Sequence, residues 1–182
     1  MTAKLADVSF VSPGAHVGAR LLPVAHRIFR ETFSHLYDTD AFEAFCDQIY
    51  AVDGPMAKDL GDSNIQWCVA AVDGEPIGYA KLTPLRAPAL NPREGALELQ
   101  QIYVLSSWHG KGVAEELMRW AVESAREANA PELYLTVFDH NQRAKRFYAR
   151  HGFAEVGNCT FILGDRVDDD RIWRKVLSLP GT

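Results

Sequence analysis

Residues 97–127, LELQQIYVLSSWHGKGVAEELMRWAVESARE, join a strand to a helix through a glycine loop with almost no linker. Leu97 to Leu105 is rich in Leu, Ile, Tyr and Val, the composition of a buried strand. His109-Gly110-Lys111-Gly112 breaks that run. Val113, Leu117, Ala121 and Ser124 then recur at helical spacing with Trp120 beside them. Glu115, Glu116, Arg119, Glu123 and Arg126 fall largely on the other side. Because the loop runs straight into the helix, its main-chain N–H groups are those of a first turn, which have no partner inside the helix. Such an end carries about half a positive charge and suits a phosphate. Gly110 and Gly112 lack a Cβ, so an anion can come close to the backbone, and Lys111 adds a mobile cation.

Three phosphate-binding patterns compete for this loop. A Walker loop needs GxxxxGK[ST], a string the chain does not contain. A dinucleotide loop needs GxGxxG, and Glu115 stands at the third glycine position, where its carboxylate would lie near a pyrophosphate. The acyl-CoA pyrophosphate loop, [R/Q]xxGx[G/A], is matched by His109, Gly110, Lys111, Gly112, Val113 and Ala114 at every position except the first. An ordinary strand-to-helix turn is the alternative reading of the same residues.

The chain, residues 1–182, suits a single domain with a sizeable core. Its formal net charge is −5 and no basic patch rich in aromatics occurs, which argues against general nucleic-acid binding and leaves a bias toward cationic substrates. Cys46, Cys68 and Cys159 are scattered, with no CxxC pair or His/Cys cluster, so neither a zinc site nor a disulfide framework is expected. No leader-like segment and no apolar run long enough for a bilayer is present, so a cytoplasmic protein without a membrane partner is expected.

A short strand is predicted over residues 8–11, then a helix over 22–37 with Leu22, Ala25, Phe29, Phe33 and Leu36 on one stripe and Pro23 in its first turn. Asp40 is expected to cap a second helix whose Phe42, Phe45 and Ile49 face inward. His26 and His35 read as partly exposed helix residues. Strands follow over 65–72 and 76–83 around an Asp73-Gly74 turn that Glu75 and Pro76 lengthen, then an exposed loop over 84–95. A strand over 132–138 leads to a helix over 142–150 that Asn141 caps and Gly152 ends. The last strands are predicted over 153–163 and 171–177. An acidic loop joins them, and its Asp168-Asp169-Asp170 reads as a solvated turn rather than a polyamine or metal site. The order describes a mixed α/β sheet with a helical crossover between adjacent parallel strands.

Asn141-Gln-Arg-Ala144-Lys-Arg-Phe147-Tyr148, followed by His151-Gly152-Phe153, resembles the NxxAxxFY…GF signature of GNAT-type N-acetyltransferases. It lies about one strand after the HGKGVA loop, the spacing of that superfamily, and the two motifs together cover roughly residues 97–153. Within the superfamily LELQQIYV, NQRAKRFY and FILGD look most like the bacterial polyamine (spermidine/spermine) acetyltransferases. The resemblance implies an α/β GNAT fold whose sheet is splayed between two parallel strands. Acetyl-CoA is then the co-substrate, with no metal. The pantetheine would pair with the backbone of Ile102, Tyr103 and Val104, and the pyrophosphate would sit on the loop from His109 to Ala114. Asn141 would lie near the pantetheine, Tyr148 would hydrogen-bond the sulfur, and Glu98 occupies a strand position where several members carry a general base. Many relatives dimerise, so a homodimer is compatible.

The chemistry accounts for those side chains. An ammonium has no lone pair, so the amine must lose a proton, which Glu98 could accept through water. Attack creates an oxyanion that an N–H near Val104 could stabilise. The departing thiolate could be protonated by the phenol of Tyr148. Asn141 and Tyr148 are seven residues apart, two helical turns, and so share a face. No activated Cys or Ser is evident, so direct transfer to a small-molecule amine is expected. Two departures stand out. His109 replaces the usual Arg or Gln, and its donation to phosphate would weaken as pH rises. Thr136 stands where ribosomal-alanine-type enzymes carry a glutamate, which argues against that substrate class. Local alternatives remain: Tyr148 as a packed aromatic, Asn141 only as a cap, Glu98 as a paired carboxylate, Lys111 as a solvated side chain and Trp108 as packing. A protein or peptide N-terminal or lysine acetyltransferase, a non-catalytic acetyl-CoA sensor and a dinucleotide-dependent oxidoreductase are the rival functions.

Overall fold

The computed structural model describes residues 4–13 and 15–177; residues 1–3, 14 and 178–182 lie outside the described residues. The strands are β1 (Ser9–Val11), β2 (Gln66–Val72), β3 (Glu75–Pro84), β4 (Leu97–Val104), β5 (Glu132–Phe138), β6 (Ala154–Leu163) and β7 (Arg166–Val176). The helices are α1 (Ala15–Phe33), α2 (Thr39–Ile49), α3 (Pro55–Gly61), α4 (Val113–Glu127) and α5 (Gln142–Arg150). One sheet takes the strands in the order β1-β2-β3-β4-β5-β7-β6. All its pairings are antiparallel except β4 with β5, the expected parallel pair, which α4 bridges.

That parallel pair is short. Leu97 lies opposite Leu133 and Glu98 opposite Tyr134, and the ladder then stops although both strands continue. The sheet is therefore splayed where a GNAT fold should be. β4 also carries a bulge: Lys81 pairs with Gln101 and Leu82 with Leu99, leaving Gln100 as the extra residue. The extra residue reverses the alternation, so Glu98 and the pair Gln101 and Tyr103 all turn toward one cavity.

The large helix forms as its apolar stripe requires. Val113, Leu117, Met118, Ala121 and Ala125 are fully buried, and burying a side chain such as Leu117 contributes roughly 1.5–3 kcal/mol. Asp73 (φ 50°) and Gly74 (φ 80°) close a two-residue hairpin, so Glu75 and Pro76 belong to β3 and do not lengthen the turn. Pro76 is tolerated because the register slips there, with Ala70 opposite Gly78 and Ala71 opposite Pro76.

Five points differ from expectation. The first helix starts at Ala15, so Pro23 sits inside it, not in its first turn. The packing of Leu21, Ala25 and Ile28, each at most 1 % exposed, outweighs the lost ladder bond. That helix also ends at Phe33, and residues 34–36 form a tighter 3₁₀ turn. The cap of α2 is Asp38, not Asp40, because its carboxylate accepts from the N–H groups of Asp40 and Ala41. A third N-terminal helix, α3, went unforeseen; Gly54 precedes it and Pro55 opens it. Finally, the acidic run is not a turn. Gly164 and Asp165 make the turn, and Asp168, Asp169 and Asp170 lie inside β7, where Asp168 is only 5 % exposed.

Candidate active site

Main-chain polarity in β4 follows from its register. Val104 lies opposite Gly78, and Leu105 N–H donates to the Ile77 carbonyl at 2.9 Å. Antiparallel ladders alternate, so Tyr103 pairs its main chain with Tyr79, while Ile102 and Val104 turn theirs away from β3 toward the gap beyond the β5 ladder. Of the three residues whose backbone is expected to meet the pantetheine, Ile102 and Val104 have main-chain groups that β3 does not use, whereas those of Tyr103 are taken by Tyr79. Tyr103 contributes its side chain instead, as part of the cavity wall.

The glycine loop is shaped as an anion cradle. Gly110 (φ 74°) and Gly112 (φ 85°) are left-handed, and Gly112 is the N-cap of α4. No main-chain N–H from Gly110 through Lys111, Gly112, Val113 and Ala114 to Glu115 finds an acceptor among the described residues. Lys111 Nζ rests 4.6 Å from the centroid of the Trp108 ring, so the tryptophan serves as a platform for the lysine. His109 differs from expectation. An Arg143 N–H donates to His109 Nδ1 at 2.8 Å, which leaves the proton on Nε2, and Nε2 lies 2.9 Å from the Val104 carbonyl. Both ring nitrogens are therefore engaged within the protein, and the cation beside the loop is Arg143, from the first turn of α5.

Helix α5 begins at Asn141, whose Oδ1 accepts from Ala144 N–H at 3.0 Å. Its capping role is thus realised, and Nδ2 stays available. The start of the helix is pinned further by Asp139, which pairs with Lys145 and, at 2.9 Å, with Arg171 of β7. Tyr148 packs against Phe147 and Phe153, with ring centroids 5.7 and 6.1 Å away. Burial holds its phenol protonated well above the ordinary range, and the neighbouring phenol of Tyr103 adds to the effect. Tyr103 itself is pushed up to about 12 by burial and by the charge of Asp170.

On the opposite side of β4 lies a cavity of about 410 Å³. Phe29 and Phe33 of α1, Phe45 of α2 and Tyr50 just after it wall it together with Phe138 and Phe161 from the sheet. Its floor carries charge. Asp59 of α3 pairs with Lys81 and, at 3.2 Å, with Arg86. Glu98, 4 % exposed, accepts from the N–H groups of Arg86 and Ala87 on one oxygen, both at 2.8 Å. Thr136 and Asp170 complete that side. Asp170 is half-buried, has neither a hydrogen bond nor an ion pair among the described residues, and is pushed up to about 6 by burial and by Asp168 and Asp169. Asp168 is held instead by Tyr37, at 2.5 Å, and by Arg166.

Residues 22–153 match the profile of the Acetyltransferase (GNAT) family. The chain belongs to that family. It is 30 % identical over 165 residues to an uncharacterized N-acetyltransferase of Lactobacillus delbrueckii subsp. lactis, covering 88 % of this chain and 95 % of the relative. It is also 30 % identical over 100 residues to the aminoalkylphosphonate N-acetyltransferase of Salmonella typhimurium, across 55 % of this chain and 64 % of that one. The PaiA N-acetyltransferase of Thermoplasma acidophilum, solved in complex with coenzyme A, superposes with a TM-score of 0.76 at 18 % identity, over 93 % of this chain and 98 % of the neighbour. That likeness is one of GNAT fold.

Sequence reasoning on the GNAT motifs located the glycine loop ahead of α4 and the helix α5. It missed Arg143, although that residue stands inside the quoted NQRAKRFY block, and it missed Asp59, Lys81 and Asp170 in the cavity. Asp59 went unseen with the helix that carries it. Asp170 was named but read as part of a solvated turn, because an acidic run reads that way until its partners Phe138 and Cys159 show it to be strand. Among the described residues no helix is long and apolar enough to cross a membrane.

Proposed function

We propose that this acetyl-CoA-dependent GNAT acyltransferase passes the acetyl group directly to a primary amine of a small molecule seated in the aromatic cavity. The observation that carries the reading is the early end of the β4–β5 ladder. It leaves the main-chain groups of Ile102 and Val104 facing a gap between an amide-lined loop and an amine-sized cavity. Acetyl-CoA is the co-substrate, and its acyl carbon is the electrophile. The free N–H groups from Gly110 to Glu115 suit its diphosphate, with Arg143 and Lys111 as flanking cations. Ile102 and Val104 suit its amide arm, and Val104 N–H suits the developing oxyanion because the Val104 carbonyl is already bonded by His109. Asn141 Nδ2 lies at the head of α5 to support the arm. Tyr148, kept protonated, is assigned the donation to the departing sulfur. Glu98 is assigned a different task from the one expected. With one oxygen taken by two amides, it holds the Arg86–Ala87 segment over the cavity.

Three N-terminal helices close over the cavity, and Thr136 lines it, which supports a small molecule over a protein terminus. The resemblance of LELQQIYV, NQRAKRFY and FILGD and the net charge of −5 favour the finer reading, a polyamine acceptor, against which the charges inside the cavity weigh. The test is acetyl-CoA turnover followed by thiol release across small amines, spermidine and peptides with free N-termini. Turnover with small amines is expected. Acetyl-CoA binding without turnover on any amine would identify a sensor, and turnover on peptides alone would identify a protein acetyltransferase.

A further inference from the structure

The geometry points to Asp170 as the residue that receives the acceptor's ammonium and takes its proton, and to an acceptor with one ammonium and an apolar, aromatic-sized body. This rests on the reading that small amines are acetylated in this cavity.

Charge accounting within the cavity selects Asp170. Five charged side chains line it: Asp59, Lys81, Arg86, Glu98 and Asp170. Asp59 sits between Lys81 and Arg86, so that group carries one positive charge in excess. Glu98 is committed to two amides. Asp170 alone among the three carboxylates lacks a partner among the described residues. Glu98 keeps its charge, since its partners are neutral amides, and offsets the surplus on Lys81 and Arg86, so the five formal charges sum to −1; one ammonium neutralises the cavity and a second goes uncompensated. A triamine is therefore poorly matched.

The surroundings of Asp170 select the body of the acceptor. Phe138 lies opposite it on β5 and faces the same side of the sheet. Phe161, diagonal to it on β6, meets Phe45 edge-on at 5.8 Å, and Phe33 meets Tyr103 edge-on at 6.3 Å. Aromatic faces beside a carboxylate bind an alkylammonium by cation–π attraction and its apolar remainder by burial. The titratable groups acting on Asp170 are Asp168 and Asp169 on its own strand. It acts in turn on Tyr37 from the 3₁₀ turn, Tyr103 on β4 and Cys159 on β6, the last also under the charge of Glu98. Burial first, and then the charges of Asp168 and Asp169, push Asp170 up to about 6, close to the optimum for a general base.

The step balances without another reactant. The bound R–NH₃⁺ gives one proton to Asp170, and the freed lone pair forms the C–N bond at the thioester carbon. The C–S bond breaks, the thiolate takes a proton, and the nitrogen releases its second proton to give the neutral amide.

The experiment measures kcat/KM against pH for 2-phenylethylamine, ethylamine and spermidine, in wild type, Asp170→Asn and Phe161→Ala, with acetyl-CoA affinity measured separately by calorimetry. In wild type 2-phenylethylamine should be the best of the three, with kcat/KM falling below about pH 6. Asp170→Asn should lower kcat/KM by about 10²-fold and abolish that acid limb while acetyl-CoA affinity stays unchanged. Phe161→Ala, at a half-exposed site that tolerates truncation, should raise KM for 2-phenylethylamine about tenfold and that for ethylamine less, since only the former loses the packing of its apolar body. Unchanged kcat/KM and an intact acid limb in Asp170→Asn would overturn the role of Asp170. Spermidine used better than 2-phenylethylamine would overturn the acceptor class alone. A wild type that binds acetyl-CoA but turns over no amine would overturn the underlying reading, and the proposal with it.

Discussion

The two faces of the β4–β5 gap are built on different principles. On the α4 side the candidate acetyl-CoA cradle comes from consecutive residues, and its chemistry is mostly main chain: unpaired amides at a helix start, left-handed glycines and the freed groups of Ile102 and Val104. On the α1–α2 side the cavity gathers side chains from α1, α2, α3 and five strands, with residues as distant as Phe29 and Asp170 on one wall. A cradle made of backbone tolerates side-chain drift, whereas a cavity made of side chains changes with each substitution.

The largest expected effect tests the seam between the faces. Tyr148→Phe should lower kcat by about 10²-fold with acetyl-CoA affinity preserved, measured by steady-state turnover and calorimetry. If affinity falls instead and kcat holds, the phenol belongs to the cradle and the division fails. Next, Glu98→Ala removes two bonds to a buried carboxylate and leaves the Arg86 and Ala87 amides unpaired. It should destabilise the fold by about 2–4 kcal/mol in denaturant titration and raise the acceptor KM.

Asp170→Asn sharpens the acceptor side through stability. A carboxyl whose folded pKa is raised from 3.8 to about 6 destabilises the fold once the unfolded chain ionises more readily than the folded one. The penalty is absent below about pH 4, grows as pH rises to about 6 and is constant above. The variant should therefore be more stable than wild type by about 1–2 kcal/mol at pH 7.5, allowing for solvent screening, and equal to it at pH 3.5. Thermal melts at the two pH values decide.

Two smaller effects should stay on the cofactor side. Gly112→Ala adds a Cβ at φ 85° and 3.0 Å from Leu5 Cδ2, costing about 1 kcal/mol and weakening acetyl-CoA binding several-fold, with kcat at saturation retained. Arg143→Ala should weaken that binding by about threefold at low salt and less at high salt, as an exposed cation does.

The α4 stripe, the Asp73-Gly74 hairpin, the strand and capped helix around Asn141 and the cradle were legible because each is encoded by neighbours in the chain. Periodicity reports a buried face, φ-positive glycines report a turn, and a helix start reports unpaired amides whatever packs around it. The extent of α1 and the existence of α3 were not legible, since Pro23 and Gly54-Pro55 are ambiguous until Leu21 and Met56 find the core. What the sequence by itself determined is the family, the splayed α/β sheet and the glycine loop with unpaired amides ahead of α4. Only tertiary structure decided that both ring nitrogens of His109 are taken by Arg143 and Val104, that Glu98 is tied to a loop, and that Asp170 faces an aromatic cavity. Those outcomes depend on which distant side chains meet, and hydrogen-bond partners and burial exist only once the chain has folded.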